Sequence, residues 1–249
     1  MVTVATEVPI EPFLDHEARD LVAGTIRLGS RSYRWSWWVG QQLKKHFALD
    51  TETTLITDHE IPRLAMVSAS DGHQHYVLQP HQLPELLLKH LPAGCHLTCH
   101  NTAFDFWVMD RYLVNAGADD ARNWLWSAVD EQRVHDTMLL AGLISLAQRD
   151  DDRMPSLADA VKQYCGYELD KDSYRTRYAE TIGQDWAQLD PGFFNYAVSD
   201  AVATYQLYCR LTATAKQITD QANVNRQYGF LTEATQVKAA ICLNAIHRT

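Results

Sequence analysis

An apolar run, Phe47-Ala48-Leu49, leads directly into the polar stretch Asp50-Thr51-Glu52. This pattern is typical of a buried β-strand that delivers polar side chains at its end. Residues i and i+2 of a strand point to the same side with Cα atoms ~6.6 Å apart, so Asp50 and Glu52 are expected to face the same way. Two such carboxylates without a basic neighbour repel each other, and a divalent cation between them removes that penalty.

The order of the predicted elements indicates an α/β domain. Apolar strand runs at 64–69 and 76–78 flank Asp71-Gly72, which is a strong hairpin signal, and another strand is predicted over 97–101. Helices are predicted over 84–91, 103–116, 135–146, 156–164 and 190–211, with Ser156 and Asp190 as N-caps. Strands early in the chain, helices late and one hairpin favour a mixed sheet flanked by helices.

Two further acids lie on predicted helices. Tyr196 and Asp200 form the only Tyr-x-x-x-Asp pair in the chain, and this spacing places both side chains on one helical face. The residues around them are mostly apolar, so the carboxylate of Asp200 needs a partner or a metal ion, while Tyr196 could also be an ordinary core tyrosine. Asp105 follows the strand predicted at 97–101, where an acid near the start of a helix also suits the helix dipole.

Composition narrows the classes of protein to consider. The chain has 249 residues, 46% of them hydrophobic, which excludes a disordered chain. The net charge of −9 argues against a protein that holds nucleic acid by bulk electrostatics. Five scattered cysteines argue against a secreted disulfide scaffold, and the longest apolar stretch, at 139–147, is far short of the ~20 residues of a membrane span. We therefore expect a cytoplasmic protein without a membrane partner.

The acids and the tyrosine occur in a recognisable order. Asp50-Thr51-Glu52, Asn101-x-x-x-Asp105 and Tyr196-x-x-x-Asp200 resemble the three motifs of the DEDD superfamily of 3′–5′ exonucleases, in its tyrosine-type branch. The chain looks most like the proofreading exonuclease domain of family A DNA polymerases. Further stretches similar to that family are His135-Asp136-Thr137, Ser156-Leu157-Ala158 and Leu169-Asp170-Lys171.

The resemblance implies an RNase H-like fold and a metal-dependent active site. The metal ligands that it implies are Asp50, Glu52, Asp105 and Asp200. Two Mg²⁺ or Mn²⁺ ions would offset a charge of about −4 from these four carboxylates. A tyrosine with a free pKa near 10 is a poor base at neutral pH, so Tyr196 is expected to orient the attacking water. Asn101 and Thr53 are expected to hold the terminal nucleotide.

The activity implied is 3′–5′ exonuclease action on single-stranded or frayed DNA 3′ ends, with release of nucleoside 5′-monophosphates. Two alternatives stay open at this point. The chain could be an enzyme that trims RNA 3′ ends in the manner of RNase D, or a non-catalytic module that binds DNA ends or acts as a scaffold.

Three segments are expected along the chain. Residues 1–45 form an N-terminal extension, 46–212 the exonuclease domain, and 213–249 a helical tail that resembles the start of a truncated polymerase region. The predicted tail helix carries Val237 and Ile241 on an apolar face with no evident partner. The extension contains an aromatic and basic run that could stack on the bases of a single strand or pack as an anchor against the domain. Its members are Arg27, Arg31, Tyr33, Arg34, Trp35 and Trp37.

Overall fold

The computed structural model describes residues 23–57, 60–148, 154–170, 173–221 and 231–247. Its strands are β1 (Gly24–Leu28), β2 (Arg31–Trp37), β3 (His46–Thr53), β4 (Leu64–Ser70), β5 (His75–Leu78), β6 (His96–Cys99) and β7 (Val134–Asp136). They form one seven-stranded sheet in the order β1-β2-β5-β4-β3-β6-β7. The sheet is mixed, because β3 runs antiparallel to β4 and parallel to β6. The predicted α/β fold with a mixed central sheet is confirmed.

The helices cover both faces of this sheet. They are α1 (Leu83–Lys89), α2 (Thr102–Asn115), α3 (Asp119–Asp130), α4 (Thr137–Gln148), α5 (Leu157–Cys165), α6 (Pro191–Gln221) and α7 (Leu231–His247). Phe47 and Leu49 of β3 pack with Phe106 of α2 in one buried cluster. Met66 of β4 packs with Val198 of α6 in the other. None of the helices in the described part of the chain is both long and apolar enough to cross a bilayer.

Local sequence signals placed several elements correctly. The hairpin predicted at Asp71-Gly72 joins β4 and β5, and Gly72 adopts a φ of 82°, which favours glycine. The Ser156 hydroxyl accepts a hydrogen bond from the Asp159 amide and caps α5, as predicted. Pro191 is the first residue of α6. Proline lacks an amide proton, but an amide at this position would have had no partner within the helix.

Other expectations differ from the structure. His135 and Asp136 were expected inside a helix, but they lie on β7, and α4 begins at Thr137. The helix expected to end near 211 continues to Gln221, so the expected boundary at 212 falls inside α6. Residues 24–37 of the expected extension form β1 and β2 of the sheet itself, because β2 pairs in parallel with β5. These pairings join distant parts of the chain, which local patterns do not report.

The apolar face of α7 has a partner, contrary to expectation. Val237 and Ile241 are buried in the same cluster as α2. The indole Nε1 of Trp107 on α2 donates a hydrogen bond to the Ile241 carbonyl oxygen at 2.9 Å. The remaining residues of the expected extension and tail, at 1–22, 222–230 and 248–249, lie outside the described residues.

The buried carboxylate of Asp136 fixes the starts of two helices. It accepts hydrogen bonds from the amides of Asn101 and Thr102 at the start of α2, and from those of Met138 and Leu139 at the start of α4. The first amides of a helix have no partner within the helix. This single acid therefore provides hydrogen-bond acceptors at the starts of both α2 and α4. It therefore sets the position of α2, on which Asp105 lies.

We expect Asp136→Ala to lower the free energy of unfolding by about 2–4 kcal/mol, since it removes the cap of two helices. Urea denaturation followed by circular dichroism measures this change. Asp120→Ala is the matched control, because Asp120 is an exposed acid in the first turn of α3, and it should cost less than about 1 kcal/mol. Equal losses in the two variants would contradict the capping role.

Candidate active site

Asp50 and Glu52 lie on β3, near its carboxyl end. The strand is an inner one, hydrogen-bonded to β4 on one side and to β6 on the other. Successive side chains of a strand point to opposite faces, so Asp50 and Glu52 face α6 whereas Thr51, between them, faces α2. Both acids are among the last four residues of the strand, the end at which the sequence had placed them. A rigid central strand therefore positions the first pair of acids.

Asp200 of α6 completes a cluster of three carboxylates with this pair. One carboxylate oxygen from each of Asp50, Glu52 and Asp200 lies within 4.8 Å of the other two. Helix α6 lies close against the sheet at this point. The Ser68 hydroxyl of β4 donates a hydrogen bond of 2.7 Å to the Ala197 carbonyl oxygen of α6.

Asp105 lies beside this cluster and is held by Thr51. Its Oδ1 accepts hydrogen bonds from the Thr51 amide at 3.1 Å and from the Thr51 hydroxyl at 2.6 Å. The Thr51 amide is available because the pairing of β3 with β6 ends at Ala48. The four acids predicted from the sequence are therefore neighbours, three of them clustered and the fourth anchored on the other side of the same strand.

Burial raises the pKa of all four carboxyl groups, and repulsion from neighbouring carboxylates adds to the rise at Glu52, Asp105 and Asp200. Desolvation raises the pKa of Asp50 to about 7, and it raises the pKa of Glu52 well above its ordinary value, with further increases from Asp50 and Asp200. Asp105 and Asp200 follow the same direction, with burial as the main cause and Asp50 as the next. The exposed Arg175 opposes the rise at Asp50 and Asp200. Without a cation, the cluster holds protons near neutral pH.

The cluster suits a divalent metal ion. The Oε1 atom of Glu52 is buried and has no hydrogen-bond partner among the described residues, which leaves a polar atom that a cation would satisfy. Carboxylate oxygens are the ligands that Mg²⁺ and Mn²⁺ prefer. Asp50, Glu52 and Asp200 are the residues that could hold such an ion directly.

Tyr196 lies one helical turn before Asp200, and its hydroxyl is within hydrogen-bonding range of the Asp200 carboxylate. Burial, followed by the charge of Asp200, raises the pKa of the Tyr196 phenol above its ordinary value. The hydroxyl therefore keeps its proton at neutral pH and can donate a hydrogen bond.

Tyr178 is a second tyrosine at the acids, and the sequence did not reveal it. It is fully buried in a 3₁₀ turn, Tyr178–Thr181. Its hydroxyl donates to the Phe193 carbonyl oxygen at 2.8 Å and lies within hydrogen-bonding range of Glu52. Sequence patterns gave no signal here, because a single 3₁₀ turn has no periodicity to detect.

The two residues expected to hold a nucleotide are close in sequence to acids of the site, Thr53 next to Glu52 and Asn101 four residues before Asp105. Asn101 precedes α2 with a φ of 67°, a left-handed conformation that asparagine tolerates, and its side chain is exposed. The Thr53 hydroxyl donates to the Thr54 carbonyl oxygen at 2.9 Å, where the strand pairing shifts register. Contact of either residue with a nucleotide stays a prediction.

Comparison with known proteins decides the family. Residues 39–216, most of the chain, match the model of the family described as 3′–5′ exonuclease. The chain belongs to this family. No curated protein matches this exonuclease chain at the level of sequence.

Solved structures share the fold at low sequence identity. NrnC from Brucella melitensis, bound to pGG, is 17% identical with a TM-score of 0.50, over 84% of this chain and 85% of that one. Escherichia coli RNase D is 17% identical with a TM-score of 0.52, over 82% of this chain and 45% of that one. The EXO domain of Aedes aegypti Nibbler is 14% identical with a TM-score of 0.53, over 80% and 86%. The exonuclease fold expected from the motifs is confirmed, but these likenesses do not single out polymerase proofreading domains.

The raised pKa values predict how the stability of the metal-free exonuclease depends on pH. A carboxyl group with a higher pKa in the folded state binds more protons there between its two pKa values, so its contribution to the unfolding free energy falls as pH rises from about 4 to about 7. Asp50→Asn removes this charge, so we expect it to raise the melting temperature in EDTA more at about pH 8 than at about pH 5. Calorimetry with Asp220→Asn as the control tests this, and a variant no more stable than the wild type at the higher pH would contradict it.

Tyr178→Phe should weaken metal binding without unfolding the protein. Groups that orient metal ligands are worth about tenfold or more in affinity, and the Tyr178 hydroxyl is within hydrogen-bonding range of Glu52. Titration with Mn²⁺ measures the loss. Tyr76→Phe is the control, because its hydroxyl bonds to Gln74 at 2.9 Å instead. Equal Mn²⁺ affinity in the two variants would show that Tyr178 has only a structural role.

Proposed function

We propose that this chain is a divalent-cation-dependent exonuclease that shortens single-stranded RNA from its 3′ end and releases nucleoside 5′-monophosphates. The observation that carries the proposal is the cluster of Asp50, Glu52 and Asp200, with Asp105 beside it, in a chain of the 3′–5′ exonuclease family. The choice of RNA draws support from the likeness to RNase D, an exoribonuclease involved in structured RNA processing.

Asp50, Glu52 and Asp200 would hold a first divalent ion, and Asp105 would share in holding a second. The likeness to an NrnC structure with bound Mg²⁺, 17% identical with a TM-score of 0.51, supports the choice of magnesium. When bound, such ions stabilise charge on the phosphate and on the departing 3′ oxygen.

The chain's own side chains have separate roles in the proposal. Tyr196 keeps its proton and therefore donates a hydrogen bond, which orients the attacking water rather than deprotonating it. Arg175 is exposed next to the acids, where its charge attracts the phosphate of an incoming strand. Asn101 and Thr53 contact the terminal nucleotide.

DNA 3′ ends are the second candidate substrate. The order and spacing of the three motifs, which resemble those of proofreading exonucleases, favour it. A polymerase region in a longer chain belongs to this candidate alone.

The test compares a short single-stranded RNA with DNA of the same sequence, each labelled at its 5′ end, in Mg²⁺ and in Mn²⁺. We expect stepwise shortening of RNA from the 3′ end, faster than that of DNA and abolished by EDTA. Asp200→Asn should lower the rate by about 100-fold or more, because a metal ligand contributes several kcal/mol to transition-state stabilisation. Asp220→Asn, an exposed acid on the same helix, should leave the rate unchanged.

Three other outcomes of this test would each contradict a part of the proposal. Faster shortening of DNA would reverse the substrate preference, and activity that persists in EDTA would overturn the metal requirement. Binding without shortening of either strand would favour the non-catalytic module.

A further inference from the structure

A second concave site lies between the β1–β2 turn, the β4–β5 turn and α6. This hairpin cavity has a volume of about 390 Å³, and Tyr33, Tyr167, Tyr205, Arg31, Arg210 and Gln206 are among the residues that line it. A volume of this size suits a small organic ligand. Much of one wall comes from residues 28–33, which precede the family match at 39–216. Asp50, Glu52, Asp105 and Asp200 do not line the cavity, so it is a separate site from these acids.

The three tyrosine rings of the hairpin cavity are half-buried and held in place. Tyr33 packs edge-to-face on His75 with 5.5 Å between the ring centroids. The Tyr167 hydroxyl donates to Gln206 Oε1 at 3.1 Å. Tyr205 lies against Gly72, where a Cβ atom would clash with its ring. Fixed aromatic rings that keep an open face provide a stacking surface for a flat ligand.

The charge of the hairpin cavity is positive. Arg31 and Arg210 line it, whereas no aspartate or glutamate does so among the described residues. The arginine ion pairs in the described part of the chain are formed by Arg122, Arg133 and Arg177, so the two cavity guanidinium groups are available to an anion.

Two nearby polar groups bear on this charge. Asp71 does not line the cavity, but its carboxylate, held by hydrogen bonds from the amides of Lys44, His73 and Gln74, is close enough to interact with Tyr205. Burial lowers the pKa of His75 to about 4, so it is neutral at physiological pH.

The hairpin cavity also lies near the acids. Tyr205 follows Asp200 by five residues on α6, which is ~7.5 Å along the helix axis. The Tyr167 phenol, which lines the cavity, interacts electrostatically with Asp200 of the acid cluster. A strand whose 3′ end is at the acids could therefore reach the cavity with an upstream nucleotide.

We propose that the hairpin cavity is a nucleotide-binding site, with the base against the tyrosine rings and the phosphate at Arg31 and Arg210. Aromatic rings beside unpaired arginines match the two halves of a nucleotide, and an uncharged or acidic ligand would leave one half unused. The occupant is either a free mononucleotide or an upstream nucleotide of the strand being shortened. Only the second source rests on the proposed exonuclease function.

The first test titrates the full chain with adenosine 5′-monophosphate in EDTA, followed by calorimetry. We expect saturable binding, weakened about fivefold or more by Arg31→Gln and by Arg210→Gln, because each removes a charge-assisted contact with the phosphate. Arg34→Gln is the matched control, since this exposed arginine lies three residues further along β2, on the opposite face. Adenosine, which lacks the phosphate, should bind more weakly than the nucleotide.

No binding by the wild type, or equal affinity in Arg31→Gln and Arg34→Gln, would overturn the proposal. Thermal melting of each variant checks that it is folded. Because this titration needs neither a metal ion nor turnover, it can fail while the exonuclease activity stands, and it can succeed where no activity is found.

A second measurement identifies the occupant. If it is an upstream nucleotide, Arg31→Gln should raise KM for a longer oligonucleotide at unchanged kcat and leave KM for a dinucleotide as it was. If it is a free nucleotide, both KM values should match those of the wild type, while the loss of adenosine monophosphate binding persists. Each outcome supports the site and names its ligand.

Discussion

Four carboxyl groups gathered around one strand, three of them clustered on one face and the fourth held on the other, are the constraint on which the rest of this structure depends. Desolvation and mutual repulsion each favour the protonated forms, so the folded chain without a cation must keep protons on groups that would otherwise be ionised. The surrounding residues reduce this cost in particular ways. Thr51 donates twice to Asp105, the hydroxyls of Tyr178 and Tyr196 lie within hydrogen-bonding range of Glu52 and Asp200, and Arg175 supplies a nearby positive charge. A divalent ion would replace these protons and neutralise the carboxylates in their place.

The alternation of side chains along β3 explains how one strand can position acids on two helices. Asp50 and Glu52 meet Asp200 of α6 on one face, and Thr51 holds Asp105 of α2 on the other. The two helices pack against opposite faces of the sheet, so the strand is the element that relates them. Asp136 adds a second constraint, because it fixes the start of α2 through backbone amides and leaves little freedom in where Asp105 lies.

Much of the acid cluster could be predicted from the sequence, since each acid follows a local pattern. The apolar run of a buried strand predicts the position of Asp50 and Glu52. Helical spacing predicts that Tyr196 and Asp200 lie on one face of a helix. What the sequence did not reveal depends on contacts between distant residues. Tyr178 reaches Glu52 from a single 3₁₀ turn, and β2 joins the sheet through a parallel pairing with β5, about forty residues away. Contacts between distant residues also decide the role of two of the three aromatic residues in the run, because Trp35 and Trp37 pack on Phe194 of α6 as anchors. Tyr33 and Arg31, on the same hairpin, line a cavity instead.

The net charge of −9 first argued against nucleic acid as a partner, and the structure shows why a sum of charges is a poor guide. Part of the acidic excess lies in a pocket where protons or cations neutralise it, so that part does not repel a phosphate backbone. Few basic side chains lie near the acids and the cavity, and their attraction for a phosphate depends on where they lie. Arg175 lies at the rim of the acids, and Arg31 and Arg210 lie in a cavity without carboxylates among the described residues. A nucleic-acid strand responds to the electrostatic field of the charges near it. This field falls off within about 10 Å at moderate salt. A negative net charge therefore does not by itself exclude an anionic polymer as the partner of a chain whose charges are separated in space.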